Sequence, residues 1–354
     1  MVGKIVYELP PSAENRRNSE GAFITLKDGV ILYIYTRFSS AGWADHAEAD
    51  LYGICSRDGG ETFGEPFPVL LHEQVQADNV MSASLIRLDN GDIGLFFGAK
   101  KGATRCVYCM VRSRDEGKTW SAPVHCSEND GYYVVHNDRA IRSSSRILIP
   151  TSFHPTETLE GNVRYFPGIL QIFASDDDGF TWKTLPGKAA IPISAGCTTG
   201  VQEPGLVEKD GDTLWCFIRN NSGRQYESFS RDGGESWSAP LPSGFTAPES
   251  PMSMKRLRDG RLLAVWNPIP MYNGRAVADG IWARNPLVMA VSSGNGESFT
   301  APVVLEEDPD SAYGYTAIHE TDDGSVLLAY CAGSTKDECM LNRLRIRKIS
   351  PEEI

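Results

Sequence analysis

Several runs in the chain gather side chains able to hold a ligand or shift a proton. The run ADHAEAD sets Asp45, His46, Glu48 and Asp50 side by side, a polar loop by composition. Glu203 and Arg219 bracket EPGLVEKDGDTLWCFIR, a hairpin pattern in which the glutamate opens one strand and the arginine closes the next. Antiparallel strands bring such a start and such an end to the same edge, so the two side chains can serve one pocket or simply pair with each other. Tyr313 and Tyr315 stand two apart in SAYGYTAIHE, a spacing that turns both rings to one face of a regular strand. Cys106 and Cys109 make a C-x-x-C, half of a zinc motif. In the β-like run CVYCMV, however, a spacing of three sends the sulfurs to opposite faces, and no second pair completes a site, so no metal is expected.

The elements that must position these residues are repetitive. The octapeptides SRDGGETF (56–63), SRDEGKTW (113–120), SDDDGFTW (175–182), SRDGGESW (230–237) and SSGNGESF (292–299) start 57, 62, 55 and 62 residues apart. Each follows a strand-like run and reads as a turn: the Asp accepts backbone N–H bonds, the Gly permits a left-handed backbone, and the Trp or Phe anchors the turn. One identical carboxylate per repeat cannot converge on a single site, so these aspartates are assigned to turns and not to catalysis or calcium. Gly294 replaces the Asp of the fifth copy, which predicts a weaker turn there.

Upstream of the octapeptides, six apolar runs are broken by short turn signals: FITLKDGVILYIY, LIRLDNGDIGLFF, RAIRSSSRILIP, LVEKDGDTLWCF, MKRLRDGRLLAVW and AIHETDDGSVLLAY. Two hairpins per unit supply four strands, and six units predict an all-β chain folded as a six-bladed β-propeller. The sixth unit lacks an octapeptide, and KIVYEL at 4–9 is expected to supply its outer strand and close the ring. No linker divides the sequence, so a single domain over 1–354 is expected, with 154–168 and 268–280 as long loops. Inner strands of a propeller start near its axis, which places Asp78, Asn79, His136, Asn137 and Arg139 at a central pocket.

Lys and Arg number 34 against 46 Asp and Glu, a net charge of −12 with no basic run, which argues against nucleic acid or an anionic membrane as partner. A small molecule or oligosaccharide is expected instead. The sequence has no apolar stretch of spanning or signal-peptide length, and its eight cysteines lie in apolar runs as core thiols, so a cytoplasmic protein is expected. Nothing in the sequence signals an oligomeric state.

The repeated octapeptides resemble the Asp boxes of the sialidase (neuraminidase) superfamily, and the resemblance covers nearly the whole chain. It implies a particular chemistry. The anomeric carbon of sialic acid is fully substituted and carries a carboxylate, which would repel a carboxylate nucleophile. Sialidases use a tyrosine activated by a glutamate, an aspartic acid as acid/base, and three arginines for the substrate carboxylate. ADHAEADLYGICSRDGG resembles the acid/base segment, implying that role for Asp45 with His46 orienting it. TTGVQEPGLVEKDGDTLWCFIRNN resembles the segment of the activating glutamate and an arginine, implying Glu203 and Arg219. ARNPLVMAVSSGNGESF implies Arg284 as a further arginine. In SAYGYTAIHETDDG the register of the family favours Tyr315 as nucleophile over Tyr313.

The first unit departs from the family. In place of an R-I-P-like motif, RRNSEGAFITLKDG puts Ser19 or Glu20 where the third arginine belongs. Arg16 or Arg17 could reach in from upstream, and Arg139 is the expected replacement. Otherwise Glu20 would face the pocket and repel an anionic sugar unless it paired with an arginine. The resemblance implies an exo-acting retaining glycoside hydrolase, free of metal and organic cofactor, that releases a terminal sialic acid or related acidic sugar. The alternatives are a propeller glycosidase or lyase for another sugar and a non-catalytic carbohydrate-binding propeller.

Overall fold

The turn signals fold as turns. Asn18–Thr25 pairs with Ile31–Phe38 across Lys27-Asp28-Gly29, where Leu26 N donates to Val30 O and Gly29 adopts a φ of 83°. The computed structural model describes residues 2–210, 213–270 and 283–354, so the fourth turn signal is described only in part. From the same pattern come six antiparallel blades. The first runs Asn18–Thr25, Ile31–Phe38, Ala49–Ser56 and Phe67–Leu70, and the second Asn79–Arg87, Ile93–Lys101, Arg105–Ser113 and Val124–His125. In the third, the innermost position is split into Tyr132–Val134 and Ile141–Ser143, both paired with Arg146–His154, beyond which lie Ile169–Ser175 and Lys183–Thr184. The fourth comprises Gln202–Asp210, Thr213–Arg219, Arg224–Ser230 and Leu241–Thr246, and the fifth Ser253–Arg256, Leu262–Trp266, Leu287–Ser292 and Val303–Glu306. The sixth is Gly314–Glu320, Val326–Cys331 and Leu344–Ile349, with Lys4–Leu9 paired antiparallel to the last.

Middle strands such as ILYIYTRF and VLLAYC are buried along both faces, which is why they read as unbroken apolar runs and not as alternations. Each face packs on a neighbouring blade. Ile34 and Leu95 meet between the first and second blades, Phe96 and Phe173 between the second and third, and Leu148 and Cys216 between the third and fourth. Trp215 and Ala264 share the next interface, Leu263 and Leu328 the one after, and Phe23 and Leu327 join the last blade to the first. Six apolar layers therefore close the ring of a six-bladed β-propeller, and the innermost strand of the first blade touches those of both the second and the sixth.

The octapeptide turns take one form. In the first, Asp58 Oδ1 accepts from Thr62 N at 3.0 Å and Oδ2 from Thr62 Oγ1 at 2.6 Å, while Gly60 N donates to Ser56 Oγ at 2.8 Å. Asp115, Asp177 and Asp232 repeat the arrangement. The fifth copy keeps the bond from Gly296 N to Ser292 Oγ at 3.2 Å and has no carboxylate at position 294.

Two expectations about loops fare differently. Residues 154–168 are not an open loop: Thr156–Leu159 and Asn162–Tyr165 form a hairpin. Glu160 and Gly161 take φ values of 51° and 80°, the left-handed pair that a tight two-residue turn requires. Of 268–280, only 268–270 fall among the described residues.

A feature with no counterpart in the repeat pattern rings the axis. Glu20, Ser82, Asp138, Glu203 and Tyr315, none of them glycine, have φ between 41° and 60°. Each lies in or between the innermost strands of a blade, and at Glu20, Ser82, Glu203 and Tyr315 the pairing register slips. These are β-bulges, which re-aim a side chain at the cost of local strain.

Candidate active site

A cavity of about 780 Å³ opens at one end of the axis. Asp45 and His46 enter it from the first blade, Glu203 and Arg219 from the fourth, Arg284 from the fifth and Tyr315 from the sixth.

The bulges at Glu203 and Tyr315 bring the two side chains together. Tyr315 Oη donates to Glu203 Oε1 at 3.1 Å, and Arg219 Nη1 donates to Glu203 Oε2 at 2.6 Å and lies 3.4 Å from Tyr315 Oη. Gln202 pairs with Arg219 in the hairpin, so a start and an end do meet at one edge. Burial, reinforced by the Glu203 carboxylate, pushes the Tyr315 phenol well above its ordinary value, against the pull of Arg284 and Arg219. At rest the phenol is protonated, and Glu203 is the group placed to take the proton. Arg284, itself buried, lies with its guanidinium carbon 5.3 Å from the centre of the Tyr315 ring.

Asp45 reaches into the cavity with 59% of its side chain exposed, and Arg17 Nη1 donates to its Oδ1 at 2.6 Å. Enclosure opposes its ionisation, but Arg17 and Lys100 outweigh that and hold the carboxyl well below the usual range. Lys100 Nζ donates to the Asp45 carbonyl at 2.9 Å, fixing the loop. His46 lines the cavity beside Asp45, 6.2 Å from the ring of Tyr132, with no hydrogen bond to Asp45 among those described.

Other expected pocket residues stand elsewhere. Arg17 is 1% exposed and lies behind Asp45, its Nη2 on Glu20 Oε2 at 2.7 Å. Glu20 is thus a buried, paired carboxylate and not part of the cavity wall; burial raises its pKa and Arg17 opposes the rise. Arg16 pairs with Glu338 at the surface. Arg139 does not replace the missing arginine: it lines a second cavity of about 350 Å³, donates to Met252 O at 2.6 Å and lies over Phe217. Asn79 is buried beneath the Asp45 loop, holding Ala47 O at 2.6 Å. Asp78 caps Gly102 N, outside the cavity wall. His136 and Asn137 lie under the floor, where Asn137 Nδ2 bonds Gly21 O at 2.7 Å and reaches Tyr315 O at 3.3 Å. Tyr313 is 1% exposed and packs in the layer between the fifth and sixth blades, because the bulge at Tyr315 breaks the rule that residues two apart share a face.

Glu249, Tyr132 and Tyr165 are among the wall residues that no sequence motif marks. Glu249 sits before the fifth innermost strand in P-E-S-P, a place comparable to that of Glu203 in the fourth. Tyr165 comes from the hairpin and packs against Tyr132, which opens the third blade, with ring centroids 4.8 Å apart and planes tilted by 58°. The turn pair Glu160-Gly161 was the available signal for that hairpin.

Comparison with known proteins agrees with the architecture. The profile of the BNR repeat-like domain matches residues 93–328. No curated protein matches the sequence. Among solved structures, the K499G mutant of NanB sialidase from Streptococcus pneumoniae superposes with a TM-score of 0.72 at 13% identity, covering 100% of this chain and 71% of that one. The intramolecular trans-sialidase from Ruminococcus gnavus gives 0.70 at 13% identity over 98% and 97% of the two chains. A protein of unknown function from Dyadobacter fermentans gives 0.69 at 18% identity over 98% and 99%. At such identities the likeness is one of fold.

Proposed function

The chain belongs to the BNR repeat-like domain family, and from that premise we propose that it is an exo-acting retaining glycoside hydrolase of the sialidase type, releasing a terminal sialic acid or related acidic sugar. The observation that carries this reading is the hydrogen bond from Tyr315 to Glu203 at the floor of the cavity, with Arg219 bound to the same carboxylate. Tyr315 attacks the anomeric carbon while Glu203 takes its proton. Asp45, ionised in the free protein, takes up a proton from solvent as bound sugar covers it and loosens its contact with Arg17, and the glycosidic bond breaks as it passes that proton to the leaving oxygen. Asp45 then removes a proton from water, which displaces Tyr315 from the sugar, and Glu203 returns the proton to the phenol. Arg219 and Arg284 flank the tyrosine and supply the positive wall for an acidic group.

A second reading, another sugar in the same mechanism, is favoured by one observation: Arg17 is spent on Glu20 and Asp45. The free thiols of the chain suit a cytoplasmic enzyme. The test is a released-sugar screen over sialyl-lactose and arabinosides, rhamnosides and uronic-acid glycosides, with proton NMR of the first-formed anomer. Retention is expected, and inversion or no release from any glycoside defeats the reading.

A further inference from the structure

Glu249 spans the two arginines of the cavity wall. Its Oε1 lies 3.5 Å from Arg219 Nη2, and its carbonyl oxygen accepts a hydrogen bond from Arg284 Nη2 at 3.0 Å. A ligand carboxylate that engaged both arginines would have to enter the gap Glu249 bridges. The other arginine of the region offers no alternative, since Arg17 already carries Glu20 and Asp45.

We propose that Glu249 sets the charge selectivity of the cavity, as a carboxylate of the protein itself that an acidic sugar must displace from Arg219. The proposal rests on the reading of this cavity as a sugar site. Two partners compete for Arg219, and geometry separates them. The contact to Glu203 is 2.6 Å long and buried, and Tyr315 depends on that carboxylate. The contact to Glu249 is longer, and 41% of the Glu249 side chain is exposed, so solvent already weakens it. Glu249 is therefore the partner that leaves. Pro248 and Pro251 flank it closely and restrict the backbone, so its carbonyl can stay on Arg284 while the side chain swings away. While the carboxylate remains, it repels a second one in the same gap, and an uncharged sugar meets no such repulsion.

The test is equilibrium binding of sialic acid, its methyl ester, glucuronic acid and acetate to the full chain, measured by calorimetry and NMR titration on wild type, Glu249→Gln and Glu249→Ala. Glu249→Gln is expected to bind the acids about tenfold more tightly than wild type, with ester binding almost unchanged. Glu249→Ala should follow the same trend. An acid-to-ester ratio equal in all three proteins, tighter acid binding in the Ala variant alone, or no carboxylate bound by any of them overturns the proposal. No turnover is read in these titrations, so an inactive enzyme in the screen counts against the glycosidase reading, whereas an unchanged ratio counts against the role of Glu249.

Discussion

His136 and Tyr315 lie face to face, with ring centroids 5.0 Å apart and planes 9° from parallel. Burial holds the imidazole well below its usual pKa, and Arg139, Arg219 and Arg284 push the same way. His136 therefore stays neutral, its Nδ1 donating to Asn137 O at 2.7 Å. A flat uncharged ring supports the tyrosine without adding a further cation to the cluster.

Tyr315→Phe should abolish detectable turnover while leaving the fold intact, whereas Tyr313→Phe should keep near-wild-type activity. Glu203→Gln should lower kcat by roughly a hundredfold or more, the scale of losing a general base. Circular dichroism and initial rates on an aryl glycoside check all three. An active Tyr315→Phe rules out the covalent step.

Asp45→Ala should harm substrates with poor leaving groups far more than an activated aryl glycoside, because only the former need a proton on departure. Arg17 lowers the Asp45 pKa, so Arg17→Gln should move the Asp45 limb of the pH–rate profile upward. A limb that stays put would detach the acid role from Asp45.

Stability should depend on pH through the histidines. Burial lowers the pKa of His136, His154, His46 and His319, the last to about 3. The unfolded chain binds protons at these positions below about pH 6.5 and the folded chain does not. The stability they contribute is complete above that pH and falls as acid is added. Urea midpoints should be level from pH 8 to 7 and drop by pH 5.5, and His319→Phe should flatten the drop. A midpoint constant to pH 5.5 contradicts this.

The octapeptide turns should carry stability and not turnover. Asp58→Ala should cost about 1–2 kcal/mol through its lost hydrogen bonds, at unchanged kcat per folded molecule. The fifth copy offers the reverse experiment. Gly294 has no positive φ, a Cβ there meets nothing within 4 Å, and Ser298 stands four residues on, as Ser236 does after Asp232. Gly294→Asp should stabilise the protein by about 1 kcal/mol, visible as a higher thermal midpoint.

Patterns that depend only on neighbours along the chain were legible. The apolar hairpins, the Asp turns and the approach of Glu203 to Arg219 follow from strand alternation and turn chemistry. What depends on strain or on distant partners was not. The choice between Tyr315 and Tyr313 is made by a bulge that no residue type announces. The fate of Arg17 is decided by Asp45, a residue 28 positions away. Arg139 starts where an inner strand should open, but the third blade splits there and the side chain turns to the other cavity.

The pairing of Lys4–Leu9 with Leu344–Ile349 has a consequence for how the molecule is made. At ribosomal speeds the first strand waits on the order of half a minute for its partner. During that time the interfaces among the first five blades can assemble, while the sixth blade is incomplete and the waiting segment is open to capture by a neighbouring nascent chain. Emergence of Leu344–Ile349, and not the growth of the earlier blades, should be the event that locks the ring. A bulky moiety placed directly before Lys4 should slow that last event far more than one attached at the exposed tip of the Glu160-Gly161 turn.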